Sequence, residues 1–101
     1  MYNFIVNPKA GSGKGLKIWK AIARYMESHN IEYEVFLTEG IGDARTAAMR
    51  LTDSHDEPRY IIAVGGDGTM NEVLDGVSFH GPLSLGYIPA GSGNDLARSL
   101  R

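Results

Sequence analysis

Residues 59–77 read RYIIAVGGDGTMNEVLDGV. Arg59–Val64 is short, apolar and rich in strand-forming residues, which marks a buried strand. It runs directly into Gly65, Gly66 and Gly68. Beyond these glycines Met70, Val73, Leu74 and Val77 recur at helical spacing. Thr69 and Glu72 stand three residues apart at the start of that helix, the spacing of a capping box. A strand, a glycine turn and a helix in immediate succession form the repeating unit of a parallel α/β sheet.

The same unit recurs on both sides. Tyr2–Asn7 (YNFIVN) reads as a buried strand, followed by a Gly/Ser segment and then Leu16, Ile18, Trp19, Ile22, Ala23, Tyr25 and Met26 at helical spacing. Glu32–Thr38 (EYEVFLT) alternates polar and apolar residues, which predicts a strand with one face more exposed. After Gly40–Asp43, the residues Ala44, Ala47, Ala48 and Leu51 define a second helical face. Asp53–Pro58 is a polar connection, Gly81-Pro82 a turn, Leu83–Ile88 (LSLGYI) a fourth strand, and Asn94–Arg101 opens a fourth helix. Strict strand–helix alternation with right-handed crossovers predicts an open, mostly parallel, doubly wound α/β sheet of about four strands, with helices on both faces. No linker or repeat array interrupts residues 1–101, so the chain reads as one domain. The last helix has no stop signal at Arg101, which suggests a cut through a longer protein.

Composition narrows the function. The chain has 101 residues, 13 glycines, no cysteine and a formal charge of −2. The missing cysteines exclude a disulfide scaffold, a thiolate metal site and a cysteine nucleophile. No apolar run has the length of a membrane span, and no basic-then-apolar leader precedes the first strand, so a soluble cytoplasmic domain is expected. Residues 1–24 carry Lys9, Lys14, Lys17, Lys20 and Arg24 and no acidic residue. That asymmetry favours a small anionic ligand or an anionic surface over nucleic acid. For Lys17, Lys20 and Arg24 the solvated face of a helix is the preferred reading.

Eight glycines fall in three clusters: Gly11, Gly13 and Gly15; Gly65, Gly66 and Gly68; Gly91 and Gly93. Each lies between the end of a strand and the start of a helix, and in a parallel sheet those ends share the ligand-binding edge. Glycine admits close backbone approach, while a helix start supplies free N–H donors and a positive dipole end. Phosphate is the natural guest. Asn7-Pro8-Lys9-Ala10-Gly11-Ser12-Gly13-Lys14-Gly15 fails as a Walker A loop at Pro8 and Gly15, and the dinucleotide pattern fails at Leu16, Asn71 and Leu96. Asp67, a carboxylate among glycines, would repel phosphate unless it holds Mg²⁺ or accepts a proton from an attacking hydroxyl. Its plain alternative is a helix-start residue stabilised by the dipole. Ala90-Gly91-Ser92-Gly93 repeats the Ala-Gly-Ser-Gly of residues 10–13, and Ser92 or Asn94 is a competent N-cap. Asp95 adds a second carboxylate, and a charged network of Lys14, Asp67 and Asp95 across the three loops is expected. His29, His55 and His80 lie in polar connections away from the glycines and are read as structural. Trp19 and Ile22 are read as core.

Asn7-Pro8 with its Gly/Ser/Lys tail, Gly65-Gly66-Asp67-Gly68-Thr69-Met70-Asn71-Glu72, and Gly91-Ser92-Gly93-Asn94-Asp95 together resemble the diacylglycerol kinase catalytic-domain family. The resemblance runs through essentially the whole chain in order, and the middle block is the most specific. It implies a nucleotide lobe like those of NAD kinase and phosphofructokinase. It further implies ATP binding through Asn7, Pro8, Lys9, Ala10 and Gly11, through Lys14, through Thr38, through Gly65, Gly66, Asp67, Gly68, Thr69, Met70 and Asn71, and through Ser92, Asn94 and Asp95. Asp67 would lie near the transferring phosphate as catalytic and Mg²⁺-binding residue. Where family members often carry threonine, Ser92 keeps the hydroxyl. Members continue into a β-rich lobe that supplies lipid contacts, further acidic metal ligands and often the base. That lobe is absent from residues 1–101.

The resulting expectation is the ATP-binding lobe of an Mg²⁺-dependent lipid kinase acting on diacylglycerol or a related lipid alcohol. Its whole protein would be cytoplasmic or peripheral to the inner face of the membrane, reaching the lipid through the missing lobe. The open lobe edge offers a surface for homodimerisation. Two alternatives stay open on the residues: an NAD kinase, which shares the Gly-Gly-Asp-Gly-Thr block, and a non-catalytic nucleotide-binding module, since this chain alone is expected to be inactive.

Overall fold

The computed structural model describes residues 1–53, 59–78 and 82–90. Its elements are β1 (Tyr2–Val6), α1 (Ala10–Ser28), β2 (Tyr33–Leu37), α2 (Asp43–Asp53), β3 (Arg59–Gly65), α3 (Asp67–Gly76) and β4 (Leu83–Pro89). Each predicted strand is present to within one residue at either end. The predicted fourth helix, and the connection at residues 54–58, lie outside the described residues.

All pairings are parallel, and the order is β2-β1-β3-β4. The first crossover moves outward to β2, and the next returns across β1 to β3. This is a doubly wound sheet whose direction switches between β1 and β3. Register then fixes the ligand edge. Val6 lies opposite both Leu37 and Val64, and Val64 lies opposite Ile88, so the strands end together. Three further bonds carry the row past the strands: Asn7 N to Val64 O, Thr38 N to Val6 O and Ala90 N to Gly65 O, each 2.8 Å.

Alternation along β1 divides the core between two faces. Phe4 and Val6 point to α1, where Trp19, Met26 and Val64 are buried with them. Phe4, Trp19 and Tyr33 form an aromatic triangle, with Phe4–Trp19 and Trp19–Tyr33 centroids at 5.0 and 5.5 Å. Ile5 points to the other face, among Ile61, Ala63, Val73 and the three alanines of α2. Ala44, Ala47 and Ala48 hold no bulk, so α2 lies close to the sheet and to α3. At that seam a Cβ on Gly76 would collide with the Arg45 carbonyl.

Two side-chain expectations are corrected. Val35, Phe36 and Leu37 of β2 are all exposed, so both faces of that strand are open rather than one. The cause is its place at the sheet edge, where no helix covers either face fully. Leu74 is also exposed, because Val73 takes the inward position on α3 and its neighbour turns to solvent. No described helix is long and apolar enough to cross a membrane.

Candidate nucleotide-binding edge

The first loop begins with Asn7, whose Oδ1 accepts a bond from the Lys9 amide at 3.1 Å and whose carbonyl accepts one from Ala10 at 3.2 Å. Lys9 is right-handed (φ −87°), but Gly11, Ser12 and Gly13 are left-handed, at φ 61°, 58° and 98°. The regular part of α1 therefore starts only at Lys14. Such a reversal of hand turns successive amides toward one side, the geometry of backbone anion sites. Gly15 has a different purpose: a Cβ there would collide with the Asn7 carbonyl, so glycine lets the helix start pass over the end of β1.

In the second loop Gly66 is the N-cap residue of α3, with no side-chain cap, and Asp67 is its first helical residue. The first bond of the helix runs from Met70 N to Gly66 O at 3.2 Å. The amides of Asp67, Gly68 and Thr69 therefore precede the helical ladder, and none finds an acceptor among the described residues. Gly66 and Gly68 have no left-handed φ, and a Cβ on either would meet nothing within 4 Å. These two glycines leave open space in front of free amides at a helix start, which is where a phosphate oxygen fits.

Asp67 is exposed, and its Oδ1 accepts the Tyr87 hydroxyl at 3.3 Å. Partial burial and the nearby Asp67 charge hold the Tyr87 phenol above its ordinary pKa, so this donor keeps its proton. Sequence reasoning missed Tyr87, because a tyrosine in a strand reads as packing and its partner lies in another βα unit. Lys14 and Asp67 form no ion pair; among the described residues the ion pair present is Arg45–Asp75, at 3.8 Å. Ser92, Asn94 and Asp95 lie outside the described residues.

Between the ends of β1, β2 and β3 opens a cleft of about 290 Å³. Asn7, Lys9, Thr38, Gly68 and Thr69 line it, bringing five predicted residues together from three loops. Glu39, Gly40, Ile41, Ala44 and Glu72 line it too and were not predicted as site residues. Met70 packs against the core, and Asn71 is exposed on the outer side of α3, so neither side chain reaches the cleft. The capping box between Thr69 and Glu72 does not form, because α3 begins three residues earlier than that pattern requires. Thr69 is buried, and the Glu72 carboxylate bonds instead to the Gly42 amide.

Comparison with known proteins shows the family and the fold. The family model described as the diacylglycerol kinase catalytic domain matches residues 1–101. The chain is 38% identical over 98 residues to the Bacillus subtilis (strain 168) protein named "Putative lipid kinase YtlR", covering 96% of this chain and 32% of that one. It is 36% identical over 97 residues to a diacylglycerol kinase of Staphylococcus saprophyticus subsp. saprophyticus, covering 95% and 31%. A crystal structure of a diacylglycerol kinase from Bacillus anthracis str. Sterne superposes with a TM-score of 0.67 at 32% identity, covering 98% of this chain and 36% of that chain. The chain thus spans about a third of the length of the curated relatives it matches, at 32% and 31%.

Proposed function

The chain belongs to the diacylglycerol kinase catalytic-domain family, and from that premise we propose that it is the ATP-binding lobe of a lipid kinase. The reaction would carry the γ-phosphoryl group of ATP to a lipid hydroxyl, with diacylglycerol as acceptor and phosphatidic acid as product. One observation supports the reading above others: three amides with no acceptor among the described residues and two unhindered glycines stand at the start of α3 beside an exposed Asp67, next to the switch point of the sheet.

The residues suit both groups the reaction needs. Amides of Asp67, Gly68 and Thr69, with the left-handed turn at Gly11–Gly13, would hold phosphate oxygens, and the neighbouring cleft would take the rest of the nucleotide. Mg²⁺ is commonly bound by one or two carboxylates together with substrate phosphates and water, a demand that the single carboxylate of Asp67 meets. Bound there, the ion would draw charge from the transferring phosphoryl group. Tyr87 occupies Asp67 Oδ1 and leaves Oδ2 for the metal or for the proton of the attacking hydroxyl. The acceptor lipid, further metal ligands and membrane contact would come from the remainder of a full-length family member.

The test uses a full-length protein containing this lobe, with labelled ATP and either dispersed diacylglycerol or NAD as acceptor. Label should enter the lipid and not NAD. Asp67→Asn should lower kcat by at least about 100-fold, the scale expected for losing a proton-transfer group. Turnover near wild type in Asp67→Asn would remove that residue from the mechanism.

A further inference from the structure

Glu72 closes the Gly65–Glu72 block, yet the nucleotide reading gives it no role and it does not cap α3. Its Oε1 accepts a bond from the Gly42 amide at 3.1 Å, across 30 positions of sequence, in a partly buried setting. A carboxylate acceptor makes such a bond stronger than a neutral one. Gly42 is left-handed, at φ 91°, and ends the Glu39–Gly42 segment that joins β2 to α2. The amides of Glu39 and Gly40 are taken by Asp43 Oδ2 at 2.7 and 2.9 Å, within the same connection. Thr46 of α2 also bonds the Gly42 carbonyl, so the segment is tied to the helix it leads into, and among the described residues the Glu72 bond is the hydrogen bond that ties it to α3. That bond stands at the head of the α2–α3 seam, ahead of Arg45–Asp75 and the Gly76 contact.

The segment forms one wall of the cleft. It carries Ile41, whose side chain is fully exposed, beside Ala44, while Gly68 and Thr69 belong to the α3 wall. An apolar wall suits the nucleoside end of ATP, and the free amides suit the phosphates. We propose that Glu72 is a positioning residue, its carboxylate latching the Glu39–Gly42 segment to α3 and setting the width of the cleft where the nucleoside binds. The latch rests on the ATP reading above. It adds a residue of the cleft wall whose part is to hold the loop opposite in place.

The experiment measures binding of Mg·ATP and of inorganic tripolyphosphate to the 101-residue chain, with hydrogen exchange at the Gly42 amide. Glu72→Ala should weaken ATP binding about tenfold, equivalent to 1.4 kcal/mol. Tripolyphosphate, which has no nucleoside, should bind as before, and the Gly42 amide should exchange at least about tenfold faster. Glu72→Gln keeps an oxygen acceptor and should restore both. Glu72→Asp keeps the charge but withdraws the acceptor by one methylene, and should behave like alanine even if the alanine variant folds poorly. Wild-type ATP affinity in Glu72→Ala, or equal losses of ATP and tripolyphosphate, would overturn the latch alone. A wild-type chain that binds neither probe would overturn the nucleotide reading and the latch with it.

Discussion

Adding a methyl group separates the glycines of the site by what each does. At Gly15 it would strike the Asn7 carbonyl, and at Gly65 it would press into the Thr69 side chain, so both are required by packing. At Gly66 and Gly68 it would meet nothing, and neither has a backbone angle that excludes alanine. Gly68 in particular sits inside α3, where glycine costs up to about 1 kcal/mol relative to alanine. A residue that weakens its own helix and fills no packing need is explained by what must approach it. Gly68→Ala should therefore raise the melting temperature by a few degrees, about 2–4 °C for a gain near 0.5 kcal/mol. The same variant should weaken Mg·ATP binding about tenfold or more, because its Cβ enters the space before the free amides. Calorimetric melting and titration of one sample check both halves; unchanged affinity would free Gly68 from the site.

At the level of elements, the seam between α2 and α3 matters most, because it aligns one wall of the cleft with the start of α3. Ala44, Ala47, Ala48 and Gly76 let these helices approach until Gly76 lies on the Arg45 backbone. Gly76→Ala forces that contact apart and should cost about 1–3 kcal/mol, the usual range for overpacking a close contact. Denaturant melts measure this directly, and a loss below about 0.5 kcal/mol would show that the seam yields. Much of this was legible from sequence. The strands, the three helices and the glycine turns follow from periodicity, since a period of two and a period of 3.6 are distinct patterns in the chain. The lateral order of strands was not legible, because a parallel strand has the same apolar pattern at the centre as at an edge. That is why β2 was expected to bury one face. The capping pattern at Thr69 and Glu72 misled for a related reason: two residues three apart say nothing of a partner 30 positions away. Asn7, Lys9, Thr38, Gly68 and Thr69, named through the family resemblance, come together in one cleft because strand ends in a parallel sheet share one edge. Tyr87 and the Glu39–Gly42 wall were not found, because their roles depend on contacts between βα units.

At the scale of the molecule, the fold converts sequence order into a single working edge. Parallel register brings the ends of β1, β2, β3 and β4 into line, and the reversal between β1 and β3 opens the cleft there. Helices pack on both faces of the sheet, α1 on one and α2 with α3 on the other, and leave that edge open. The chain belongs to the diacylglycerol kinase catalytic-domain family and spans about a third of the length of the curated relatives it matches. On the proposed reading, what this lobe contributes on its own is the grip on the nucleotide. The most direct test is a titration of the isotopically labelled chain with Mg·ATP, following backbone amide resonances. Shifts should concentrate at Lys9–Gly15, Thr38–Gly42 and Gly66–Thr69 and saturate with one nucleotide per chain. No saturable shift, or shifts gathered at the opposite edge around Tyr2 and Tyr60, would contradict the assignment of this edge to ATP.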